Sequence, residues 1–200
     1  MKNFYQRKGS NIILLFDYCL LDNQTLLIVF WVPFFFEKEG LGFDATWILF
    51  SYSIGTSMGA LIINPILKIF PEKAHATTVF LLFMESCCLC SVYFIERDKQ
   101  NLGIFIILFG LASIMLISPS SRSISTEVVE RAENDRENYL VVNFMRVVRE
   151  LISALLTIMI GQLIEIEITY FLYILIGNAF ISALLHLIRR VKEHSELKHE

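Results

Sequence analysis

At 200 residues, 55% of them hydrophobic and 17 of them phenylalanine, with a mean hydropathy of +0.58, the chain carries more apolar surface than a soluble domain needs for its core. Charged residues are 18% of the total and gather between apolar runs; the net charge of −3 comes without a basic face, so nucleic acid is excluded as a partner. This combination predicts an all-α integral membrane protein whose first partner is the lipid bilayer.

Taken in order, a tail at 1–10 precedes a transmembrane domain at 11–188, and a second tail covers 189–200. Six spans are predicted, at about 11–36, 46–67, 76–95, 102–120, 138–164 and 167–188. Each is near or above the roughly 20 residues that a helix needs to cross the hydrocarbon core. The first run is too long for a signal peptide and lacks a small-residue cleavage site. Short polar links join the spans, so consecutive helices are expected to be antiparallel neighbours. With the N-terminus on the cytoplasmic side, 12 of the 17 Lys and Arg residues fall there, from Lys2 and Arg7 to Arg190 and Lys198. Only Lys38, Arg97 and Lys99 fall opposite, with Arg146 and Arg149 at the start of the fifth span. This bias predicts that both termini are cytoplasmic; it does not choose between endoplasmic reticulum and plasma membrane.

The first span carries Asp17 and Asp22-Asn23-Gln24-Thr25. Charge at that depth costs several kcal/mol and usually faces a bundle interior or a water-filled path, to within an order of magnitude. Tyr18, Asp22 and Thr25 share a helical face, and Asp17 points elsewhere. Asp22, Asn23 and Tyr18 are therefore candidate substrate-binding or coupling residues; the other reading makes Asp22 half of a structural ion pair. The second span holds Gly55 and Gly59 as GxxxG, which lets another backbone approach closely, for packing or for a helix pair that rocks in gating. Pro65 and Pro119 are read either as helix stops or as bends at gates. Glu85, mid-way along the third span, reads as a packing carboxyl.

In the fifth span Asn143, Arg146, Glu150, Ser153, Thr157 and Gly161 recur at spacings of three or four, on one face that leaves Arg149 aside. Arg146 and Glu150 are placed to pair at i,i+4. Asn143, Arg146 and Glu150 join the candidate substrate-binding set, against the plainer reading of a helix extension with its charges at the interface. Cys19, Cys87, Cys88 and Cys90 lie in apolar runs without a second cysteine pair or nearby histidine, so no metal site is expected. His75, His186, His194 and His199 lie near ends or tails. No phosphate loop or HExxH occurs, so neither an enzyme nor a cofactor is expected.

Phe30-Trp31-Val32-Pro33-Phe34-Phe35 resembles the FWLPFY-like end of the seventh helix in sugar-phosphate exchangers of the major facilitator superfamily. Ala45 through Gly55 resembles the start of their eighth helix, and Ser118-Pro119 through Glu127-Val128 the end of their tenth. The likeness covers most of residues 17–188. It implies the C-terminal six-helix half of such a transporter: two three-helix inverted repeats, with the first, second, fourth and fifth spans lining the path. The implied activity is alternating-access transport of a small organic anion or sugar phosphate, by antiport. Two departures stand out. Asp22 occupies the place where the family tends to carry a lysine, and Asn64-Pro65-Ile66-Leu67-Lys68 lacks the superfamily's Asp-x-x-Gly-Arg pattern. A complete transporter has a second six-helix half, so the chain is expected to act as a half or fragment, with a partner half or as a homodimer. The alternative is a non-transporting scaffold or regulatory remnant that associates with other membrane proteins.

Overall fold

A computed structural model describes residues 8–38, 40, 45–70, 73–96, 98, 100–125, 135–166 and 169–197. The tail residues 1–7 and 198–200 and most of the links at 39–44 and 126–134 lie outside the described residues. Six helices follow one another: α1 (Lys8–Lys38), α2 (Ala45–Ile69), α3 (Ala74–Phe94), α4 (Leu102–Ser125), α5 (Asp135–Ile166) and α6 (Tyr170–Leu197). No strand occurs among the described residues. Each predicted span falls on one helix. The helices run past most of the expected ends, because a helix satisfies its own backbone groups whether lipid or water surrounds it.

The two prolines are not stops. α2 continues through Pro65 to Ile69, and α4 continues past Pro119 to Ser125. Each proline lacks the N–H that would bond the carbonyl four residues earlier, so its helix gives up that one bond and continues. After α1 the chain reverses at Gly40, whose φ of 79° is the left-handed conformation that glycine adopts without a Cβ clash. Before α4, Asp98 Oδ1 accepts from the Asn101 amide at 2.9 Å, so the turn supplies a partner that the helix itself cannot.

Four helices are long and apolar enough to cross a membrane: Leu15–Lys38 in α1, Thr46–Ile69 in α2, Ala74–Phe94 in α3 and Tyr170–Arg189 in α6. α4 offers the shorter apolar stretch Leu102–Ile117. In α5 the charges Arg146, Arg149 and Glu150 interrupt the apolar run. The architecture is consistent with an all-α membrane protein.

The packing follows from sequence spacing. In α2 the buried residues Ile48, Tyr52, Gly55 and Gly59 recur every three or four positions and make one face, while Trp47, Phe50, Ile54, Met58 and Leu61 lie exposed on the other. That inner face meets α4 closely. A Cβ on Gly55 would overlap Ser113 Oγ and the Gly110 carbonyl, and one on Gly59 would come within 2.7 Å of the Ile114 carbonyl. Ser51 Oγ donates to the Ile106 carbonyl across the same contact at 2.6 Å. Gly55 and Gly59 thus sit in the tightest helix contact of the bundle, as the small-xxx-small spacing allows.

The aromatic end of α1 anchors the core. Phe35 and Phe36 are fully buried, and Phe36 packs on Phe105 and Phe109 of α4 at ring distances of 5.2 and 6.1 Å. Phe35 packs on Phe171 of α6 at 5.4 Å. Trp31 lies over Gly161 of α5, with Cζ2 only 3.0 Å from where a Cβ would stand.

The principal helix pairs come in matched sets. α2 packs on α4 as α1 packs on α5; α3 packs on α4 as α1 packs on α6; α3 and α6 pack on each other. Exchanging α1, α2, α3 for α4, α5, α6 in order leaves these five pairs unchanged.

Candidate functional site

The polar residues of α1 fan out to three neighbouring helices. At 3.6 residues per turn, positions four or seven apart share a face. Asp17 and Gln24 therefore point one way, toward α6 and α3, whereas Tyr18 and Asp22 point toward α5. Asn23 falls between α5 and α6.

On the α5 side, Arg149 is the centre. Its Nε lies 3.6 Å from Asp22 Oδ2, with the two side chains 16% and 27% exposed. Its Nη1 donates to the Tyr18 hydroxyl, and its guanidinium stands 4.8 Å from the centre of the Tyr18 ring. Its Nη2 donates to Glu150 Oε1 at 3.1 Å. One guanidinium is thus shared between a half-buried carboxylate, an exposed one and a phenol. Arginine suits this role because its planar fork offers several donors at fixed angles.

At the next residue of α1, Asn23 Nδ2 donates to Thr157 Oγ1 of α5 at 3.3 Å, and Asn178 Nδ2 of α6 donates to Asn23 Oδ1 at 3.3 Å. Asn23 is 1% exposed, so its amide ties three helices where water is excluded. Gln24 Nε2 donates to Glu85 Oε1 of α3 at 2.7 Å, and both residues are buried.

The candidates chosen from sequence do not all meet. Tyr18, Asp22 and Asn23 of α1 are brought together with α5. Arg146 and Glu150 pair with each other at 4.0 Å, but they are 67% and 60% exposed, and Arg146 does not reach Asp22. Asn143 is half-buried and lies on the same side of α5 as neither Ser153 nor Met145. The inner stripe of α5 is Met145, Arg149, Ser153, Thr157 and Ile160, spaced by three or four. Arg149, which the polarity pattern set aside, belongs to that stripe. Gly55 and Gly59 lie at the α2–α4 contact, away from these residues; Pro65 is exposed and Pro119 lies within α4.

A second polar group was not legible in the sequence. Asp17 Oδ1 accepts from the Ser182 hydroxyl, and Oδ2 lies 2.7 Å from His186 Nε2, an approach too close for anything but a polar contact though not aligned as a hydrogen bond. His75 of α3 sets its ring against His186, centroids 5.8 Å apart. The available signal was the spacing of Ser182, His186 and Arg189, which puts all three on one face of α6.

Among the described residues no group of three or more His, Cys, Asp or Glu side chains could hold a metal ion. Cys19 is buried and Cys87 exposed, and all four cysteines are free. Comparison with protein families, with curated proteins and with solved structures finds no match. The class rests on the fold itself: helices alone among the described residues, four of them able to span a membrane, around a polar centre on α1.

Proposed function

We propose that the chain is half of a secondary transporter, with six membrane-spanning helices in two three-helix inverted repeats and both termini cytoplasmic. It moves a small organic anion or sugar phosphate by alternating access. The observation that carries this reading is the Arg149 cluster: an arginine held within a membrane bundle by Tyr18, Asp22 and Glu150. Ionisable groups at that depth tend to face a substrate or ion path. An anion arriving at Arg149 can take over donors that Glu150, exposed to 60%, holds weakly. The Asp22 carboxylate then tunes how tightly the anion binds, which answers the family's lysine being absent from that place.

Two further features support the fold part of the reading. The five principal helix pairs are unchanged when α1–α3 and α4–α6 are exchanged. Three spans in each unit, an odd number, make the second unit enter from the opposite side, as inverted repeats do. The site's other wall is supplied by a second six-helix half or by another copy of the chain.

Reconstituted full-length chain, loaded with phosphate, should exchange it for labelled phosphate or glucose 6-phosphate. Arg149→Gln should lower the rate tenfold or more, about 1.4 kcal/mol or more. Absence of exchange with every phosphate and carboxylate anion tried, in vesicles where crosslinking shows a paired species, refutes the proposal. It would favour a non-transporting scaffold, a reading consistent with Asp22 already having an ion-pair partner.

A further inference from the structure

At one end of the bundle, where the spans of α1 and α3 begin and that of α6 ends, lies a set of ionisable groups that the transport reading leaves unused. Asp17 is 2% exposed, Ser182 0%, His186 4% and Arg189 3%. α6 engages both oxygens of Asp17, the first through Ser182 and the second through His186. The other imidazole nitrogen, His186 Nδ1, is buried without a hydrogen-bond partner among the described residues. Packing alone does not call for such a group, since apolar side chains of similar volume hold helices together at least as well. Buried polar atoms are normally satisfied, so an open imidazole nitrogen beside a carboxylate marks a place where a proton can be held or passed on.

We propose that Asp17, Ser182 and His186 form a buried proton-binding site joining α1 to α6. His186 takes the proton, and Asp17, fixed by Ser182, holds the imidazolium once it forms. The proton comes from water at the near end of the bundle. One N–H bond forms on loading and breaks on release, and nothing else is exchanged. His75 faces the site from α3, and Arg189 stands one turn along α6. On α1 the nearest other ionisable groups, Tyr18 and Asp22, turn to Arg149 of α5, so the two clusters are separate. Loading changes the α1–α6 contact from a carboxylate beside a neutral ring to an ion pair. The site stands whether or not the chain carries an anion.

The test is nitrogen NMR of the full chain, labelled at histidine and held in lipid nanodiscs, with the His186 signals assigned from His186→Gln. Between about pH 5 and about pH 9 these signals should move between their neutral and imidazolium positions. Asp17→Asn should displace the midpoint by about one pH unit or more, tenfold in proton affinity, while Asp22→Asn moves it by less than about 0.3. Signals that stay fixed across the range overturn the proposal, as does a midpoint that Asp17→Asn leaves in place. Should Asp17→Asn not fold, Ser182→Ala removes one hydroxyl and must displace the midpoint by more than about 0.3; an unmoved midpoint there has the same force.

Discussion

A double-mutant cycle on Asp22 and Arg149 tests the centre of the candidate site directly. At 3.6 Å, with the effective dielectric of about 20 that suits partly buried pairs, the gross attraction is about 4–5 kcal/mol. Three features reduce what a cycle reads. Both side chains keep some contact with solvent, at 16% and 27% exposure. Arg149 is shared with Glu150 and Tyr18, so losing Asp22 leaves the guanidinium with partners. Holding the pair also costs desolvation. A coupling of about 1–3 kcal/mol is therefore expected between Asp22→Asn and Arg149→Gln, measured by equilibrium unfolding in mixed micelles. Glu150→Gln serves as the control: its carboxylate is 60% exposed, and its coupling to Arg149→Gln should stay within about 0.5 kcal/mol. A coupling at Asp22 no larger than that at Glu150 would mean that the Asp22–Arg149 contact is not the organising pair.

Other outcomes follow from the packing. Gly55→Ala gains about 1 kcal/mol of helix propensity but meets the Gly110 backbone carbonyl, which cannot rotate away, so overpacking of about 1–3 kcal/mol should win. Gly177→Ala, with nothing within 4 Å of the new Cβ, should be neutral or stabilising; equal melting temperatures for the two variants would refute the close α2–α4 contact. Phe36→Ala should cost about 3–5 kcal/mol, because the ring is fully buried among Phe35, Phe105 and Phe109, and a denaturant titration reads it. Gln24→Leu leaves Glu85 buried without its donor and should cost about 1–3 kcal/mol or more, most of which Glu85→Leu in the same chain should restore. If the double variant is as unstable as Gln24→Leu alone, the Gln24–Glu85 bond is not what holds that layer.

How far the sequence reached is clearest on α5. Arg146 and Glu150 were expected to pair at i,i+4, and they do, but on the outside of the bundle. A helix whose polar residues repeat every three or four positions offers two overlapping stripes, one residue apart. Polarity chose the stripe through Asn143, Arg146 and Glu150; packing against α1 chose the one through Met145, Arg149 and Ser153. On α1 the shared face of Tyr18 and Asp22 was legible because positions four apart stack on one side of a helix. The destination of Asp17 was not, because its partners Ser182 and His186 lie 165 and more residues away and carry no local mark.

The sequence by itself determined that there are six helices, where their apolar runs lie and which residues could pack backbone to backbone. Those properties are local: hydrophobic length, glycine spacing and the need of every backbone group for a partner. Only the tertiary structure decided which polar groups meet, namely Arg149 with Asp22, Asn23 with Asn178 and Thr157, and Asp17 with His186. Each of these depends on how a helix is turned about its own axis and which neighbour it lies against. The 3.6-residue period fixes the angles between side chains on one helix and says nothing about that turn.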